Sequence, residues 1–178
     1  MRRVTLVLVA VACLCANAVA SDEKPFDFRS VRWGMSQGEV KHSEEGDPVF
    51  DYPDLGILTY SDYLFSRKVQ LMYRFDSNGS LYSTIYSLRK VDNINITEAQ
   101  IKTYYSDLVE ALAEKYNAPK QGQVLGAGNL ETPEWNYGDT QIIIRLNDDT
   151  EPVTLTYYSK ELRAKRRELV KLESKKKL

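Results

Sequence analysis

The chain has 178 residues, 24 Lys and Arg against 25 Asp and Glu, one histidine and two cysteines, for a net charge of −1. One histidine is too few for the several-ligand sites that zinc and copper prefer, and Cys13 and Cys15 both lie in the leader read below, which leaves no disulfide framework. Charge is uneven: residues 160–178 carry nine basic and three acidic side chains, residues 21–159 carry 13 basic and 22 acidic, and so acidic a body is unsuited to nucleic acid.

Met1-Arg2-Arg3 is a positive start, residues 4–16 form an uncharged apolar run, and Ala18-Val19-Ala20 sets small residues where a signal peptidase reads. Residues 1–20 therefore read as a signal peptide, the run being too short for a membrane span. The expected protein is exported, periplasmic or secreted, and begins at Ser21. Processing at Cys13 would instead leave a lipid-anchored form, but the usual leucine three residues before that cysteine is missing. The remainder, residues 21–159, is expected to be a single domain.

Ser36-Gln37-Gly38-Glu39 is a capping box with Met35 and Val40 as its staple, so a short helix begins there and ends near Gly46 and Pro48. Residues 57–65 read as a strand or strand pair. Residues 69–75 and 81–88 flank Asp76-Ser77-Asn78-Gly79, a hairpin turn. Thr97 with Gln100 is a second capping box, stapled by Ile96 and Ile101. The helix behind it turns Ile101, Tyr104, Tyr105, Leu108, Leu112 and Tyr116 to one side and stops at Asn117 before Pro119. After a Gly-rich loop at 122–129 come a strand or strand pair at 131–137 and a hairpin of 140–146 and 153–158 about Asn147-Asp148-Asp149-Thr150. Residues 160–178 read as a basic C-terminal helix capped by Ser159, with Glu161 facing Lys165 and Glu173 facing Lys177.

These pieces repeat at an offset of 71 residues. Gly46 maps onto Asn117, Pro48 onto Pro119, Gln70 onto Gln141, Arg74 onto Arg145, and the first hairpin turn onto the second. The expected fold class is α+β: two tandem units of a helix and an antiparallel sheet, about residues 31–88 and 97–159, followed by the C-terminal helix.

Catalytic patterns are missing. His42 is the one imidazole, no Gly-x-Ser-x-Gly elbow occurs, and Gly122, Gly126 and Gly128 precede no Lys-Ser/Thr pair. Glu131 and Glu134 beside Trp135 could serve a glycosidase, with nothing else to support it. The protein is expected not to be an enzyme and to need no cofactor or metal.

Alternation assigns the surfaces. In strands 69–75 and 140–146, Leu71, Tyr73 and Phe75 match Ile142, Ile144 and Leu146 as the buried side. Gln70, Met72, Arg74 and Gln141, Ile143, Arg145 then form the opposite side, a candidate surface for an unknown envelope protein. The alternative is a small-molecule or cell-wall-fragment binder that uses tyrosines and Trp135 in a groove between the units. On the C-terminal helix, Arg163, Arg166, Arg167 and Lys171 are candidate weak contacts to an anionic membrane surface.

The segment Trp33-Gly34-Met35-Ser36-Gln37-Gly38-Glu39-Val40, with Gly46-Asp47-Pro48, Lys115-Tyr116-Asn117-Ala118-Pro119 and Tyr157-Tyr158-Ser159-Lys160-Glu161-Leu162, resembles a group of small exported bacterial proteins of unknown function. That resemblance implies export and brings no activity with it. The helix followed by a Gly-x-Pro-like turn and a small sheet is similar in architecture to the SmpA/BamE outer-membrane assembly lipoproteins. Duplicated, the unit is similar to the β-lactamase inhibitory protein, which implies an α+β fold of paired units.

Overall fold

The computed structural model describes residues 28–121, 132–147 and 150–176. The expected signal peptide, the Gly-rich loop, Glu131, Asp148 and Asp149 of the expected second hairpin turn, and the Glu173–Lys177 pair fall wholly or partly outside them. Among the described residues no helix is long and apolar enough to cross a membrane.

Both capping boxes form. The Ser36 hydroxyl accepts from the Glu39 amide and the Glu39 carboxylate accepts from the Ser36 amide, which starts α1 (Gln37–Ser43). Thr97 and Gln100 do the same for α2 (Glu98–Tyr116), whose C-cap Asn117 takes a positive φ of 68°. Capping of this kind is worth about 1 kcal/mol per helix. It fixes where each helix begins, and so which side chains reach the sheet.

Among the described residues, eight strands make one antiparallel sheet: β1 (Phe50–Tyr52), β2 (Ile57–Leu64), β3 (Arg67–Phe75), β4 (Leu81–Leu88), β5 (Lys120–Gln121), β6 (Pro133–Tyr137), β7 (Thr140–Leu146) and β8 (Val153–Ser159). Their order across the sheet is β1-β2-β3-β4-β8-β7-β6-β5, so each group of four runs inward and the two meet at β4 and β8. The architecture is α+β, with α3 (Lys160–Lys176) as the C-terminal helix. Two strands escaped expectation because they are only three and two residues long, below any readable alternation. The β3–β4 turn is as expected: the Asp76 carboxylate accepts from the amides of Asn78 and Ser80 at 2.9 and 3.0 Å.

The core lies on one face of the sheet. Leu58, Tyr60, Val69, Leu71, Tyr73, Ile142, Ile144, Leu155 and Tyr157 point into it, and Ile101, Tyr104, Leu108 and Leu112 of α2 cover them. Each such aliphatic side chain contributes about 1.5–3 kcal/mol on leaving water. Trp135 is buried in the same layer, and its indole N–H donates to the Asn117 carbonyl at 2.9 Å, tying the end of α2 to β6. The Trp-Gly-Met segment closes one end. Gly34, at a φ of +90°, donates to the Leu81 carbonyl, the Leu81 amide donates to Met35, and the Trp33 indole donates to Thr140 of β7. A residue with a Cβ would be strained at that φ.

Tyrosines make the core titratable at its upper limit. Burial is the first cause that raises the Tyr73, Tyr86, Tyr104, Tyr105 and Tyr157 hydroxyls above their ordinary range, with the carboxylate of Glu44 adding to the effect at Tyr73. A phenol whose folded pKa is raised contributes stability that is complete below its unfolded value, about 10, and lost as pH rises through the folded value. Urea unfolding is therefore expected to give an unchanged midpoint from neutrality to about pH 9.5 and a falling one above it, with these five phenols ionising only together with unfolding. Tyrosinate absorbance from all the tyrosines of the folded protein at about pH 10, without loss of stability, would contradict this account.

Candidate functional site

The second face of the sheet carries the residues that alternation assigned to it. Strand register sets them in cross-strand rows: Arg74, Ser83, Tyr158 and Gln141 in one, Met72, Ile85, Thr156, Ile143 and Glu134 in the next, Gln70, Ser87, Thr154 and Arg145 in the third. The six candidates do share this face, but they are not equally available. Arg74 is exposed, Gln70, Met72, Gln141 and Arg145 are half-buried, and Ile143 is only 6% exposed. Ile143 is therefore corrected from a contact residue to part of the floor. The half-exposed Ile85, which the repeat argument did not single out, stands at the centre with Met72 beside it.

Small hydroxyl residues fill the space between the taller ones. Ser83, Ser87 and Thr156 are buried, with Ser83 set between Arg74 and Tyr158 and Thr156 between Ile85 and Ile143. The Ser83 and Ser87 hydroxyls have no hydrogen-bond partner in the structure. Among the described residues, Arg74 and Arg145 likewise form no ion pair, whereas Glu134 accepts from both Asn136 and Gln141.

One margin of this face belongs to α3. The Ser159 hydroxyl donates to the Asp139 carboxylate and accepts from the Leu162 amide, as the expected cap requires, and Asp139 also accepts from the Glu161 amide. That anchoring aims the first turn at the sheet. Arg163 lies over the Tyr158 ring at 4.1 Å and donates to Gln141 at 2.7 Å, and Arg166 lies 5.0 Å from the Tyr82 ring centre. Burial, reinforced by the charges of Arg167 and Arg145, pulls the Arg163 guanidinium below its ordinary value against the opposing influence of Tyr158 and Glu134. Two of the four membrane candidates thus stack on tyrosines. Arg167 is exposed, and the exposed Lys171 pairs with Glu168 at 2.8 Å.

On the core face is a cluster that sequence reading missed. Arg29 pairs with Asp62 of β2, donates to the Tyr86 hydroxyl at 3.2 Å, and stands 3.5 Å from Glu44, which also accepts from the Tyr73 hydroxyl. Beside it, Phe28 packs against Tyr157, Tyr86 and Tyr73 with centroids 4.8, 5.7 and 6.3 Å away. Glu44, Asp62, Tyr73 and Tyr86 lie 15 to 57 residues from Arg29 in sequence without periodicity, so no local signal marks them. Every charged partner is satisfied within the cluster, and its role is to pin the 28–31 segment and the end of α1 to the sheet.

Trp135 cannot line a ligand groove between the halves, because the core encloses it. A hollow of about 820 Å³ lies instead between α3 and the β3–β4 turn, with Leu162, Leu169 and Leu172 on its wall. His42 is exposed on α1. Glu134 is held by hydrogen bonds, and Glu131 lies outside the described residues.

No protein-family model matches the chain, and no curated protein matches it. Among solved structures it is similar to the crystal structure of a DUF4309 family protein, YjgB, from Bacillus subtilis, at 9% identity over 70% of this chain and 78% of that one. The TM-score is 0.41, a likeness too distant to carry an argument about function.

Glu44 has a side chain only 4% exposed, so removing its cation leaves a buried carboxylate held by one phenol. Arg29→Met is expected to lower stability by about 1–3 kcal/mol, the buried-pair penalty discounted because Arg29 itself is partly in water. Lys41→Met, which breaks the more exposed pair with Asp51, should cost less than about 1 kcal/mol. Equal losses in urea denaturation would contradict the assignment.

Proposed function

We propose that this is an exported, non-catalytic interaction protein of the bacterial envelope, built of two related units, which holds a partner protein on the sheet face away from α2. The leader-like residues 1–20 support export. The tandem reading, and with it the resemblance to the SmpA/BamE lipoproteins and the β-lactamase inhibitory protein, is supported by strand register. Ile85 pairs with Thr156, 71 residues on, and the flanking pairs Thr84–Tyr157 and Tyr86–Leu155 interchange under the same offset. The pairs Leu71–Tyr86 and Ile142–Tyr157 also correspond.

The observation that carries the functional reading is the result of that register. Gln70, Met72 and Arg74 come to one face with Gln141, Ile143 and Arg145, about an axis at Ile85 and Thr156, while among the described residues the one helix on that side is α3, which reaches its margin through Arg163 and Arg166. A sheet face with an apolar centre, a polar rim and arginines that form no ion pair among the described residues is suited to another protein's surface.

A photo-crosslinking amino acid at Met72, on this face, and at Glu110, on the outer side of α2, tests the proposal in the native host. The protein recovered from the envelope or culture medium should begin at Ser21 and form an adduct with a second polypeptide from position 72 but not from 110. Adducts from 110 alone, or from neither position, would sink the sheet-face proposal.

A further inference from the structure

We infer that the partner presents an extended acidic segment, which crosses this face diagonally with one carboxylate at Arg74 and another at Arg145. The inference rests on the sheet-face reading and specifies its chemistry. The residues of this face include Lys68, Arg74 and Arg145, with Arg163 at the margin. Glu134 is the one carboxylate of its three central rows, and two amide side chains already occupy it. This positive face sits on a body whose residues 21–159 hold 22 acidic and 13 basic side chains, so it departs from the protein's own average in sign. Opposite charge across an interface selects partners and speeds encounter.

Register gives the spacing. Arg74 and Arg145 are three strands apart and, through the Ser83–Tyr158 and Ser87–Thr154 rows, four residues apart along the strands. With strands about 4.8 Å apart and a rise of about 3.4 Å per residue, the two Cα atoms stand about 20 Å apart. An extended chain covers that distance in about six residues, and its alternate side chains face one way. A segment of pattern Glu-x-Φ-x-Φ-x-Glu, with Φ apolar, would therefore place both carboxylates on the arginines. Its two apolar side chains would then lie over Ile85 and Thr156, one strand apart at the centre of the face.

A fluorescein-labelled peptide Glu-Thr-Val-Thr-Val-Thr-Glu and its counterpart with Gln at both ends provide the test. Anisotropy titrations would use the purified protein, the conservative Arg74→Gln/Arg145→Gln variant and the Arg74→Glu/Arg145→Glu variant, with circular dichroism as the folding control. Binding of the acidic peptide to the wild type should weaken about tenfold or more in either variant and with the Gln peptide. It should also weaken several-fold between about 50 and about 300 mM salt. Equal binding of the two peptides, or undiminished binding to Arg74→Gln/Arg145→Gln, overturns the inference. No binding at about 1 mM acidic peptide does the same. Amide NMR separates the two levels. If the Gln peptide binds equally and shifts the Met72 and Ile85 amides, the acidic requirement falls and the sheet-face reading stands. If neither peptide shifts them and position 72 yields no cross-link, both fall.

Discussion

The pairing of β4 with β8 is the interaction on which the rest of the molecule depends. Six residue pairs, from Ser83–Tyr158 to Leu88–Val153, join strands that belong to opposite halves of the chain. Without that ladder, β1–β4 and β5–β8 would each end on an open edge, a costly and aggregation-prone arrangement. With it, a single apolar layer runs from Leu58 and Tyr60 through Leu155 and Tyr157 to Trp135, wide enough for α2 to cover. The same pairing creates the second face, because residues from β3 and β7 come into one plane only once β4 and β8 are adjacent.

The two faces then diverge for physical reasons. Everything available to cover the sheet goes to one side: Val40 of α1, the stripe of α2, and the Phe28–Val31 segment held by Arg29. Burying Glu44 there requires both Arg29 and Tyr73, which ties the N-terminal segment to the sheet more firmly than apolar contact alone would. On the other side α3 reaches only the margin, through Arg163 and Arg166 on their tyrosines. The proposed interaction surface is thus the complement of the core, defined by where the helices do not pack.

Local features were legible in sequence and distant ones were not. Ser36 and Thr97 announced their helices because a capping box lies within four residues. Asp76-Ser77-Asn78-Gly79 announced its hairpin, and the alternation in β3 and β7 assigned every side chain to its face. Burial on that face was not legible: Ile143 lies between Thr156 of β8 and Glu134 of β6, and alternation assigns a side chain its face but not its depth there. Arg163 read as a membrane contact because its helix is basic, yet the Asp139 and Ser159 anchor, which comes from a turn 20 residues earlier, rotates it onto Tyr158. Arg29, Glu44, Asp62, Tyr73 and Tyr86 come from five separate segments, and only tertiary structure brings them together.

The most direct test of the central claim is native-state hydrogen exchange followed residue by residue across β4 and β8. If the ladder unites two halves into one cooperative sheet, amides in both strands should exchange only through an opening as costly as global unfolding, with equal sensitivity to urea. A cheaper opening that exposes β5–β8 while β1–β4 stay protected, or the reverse, would show that each half is held together on its own and would contradict the account.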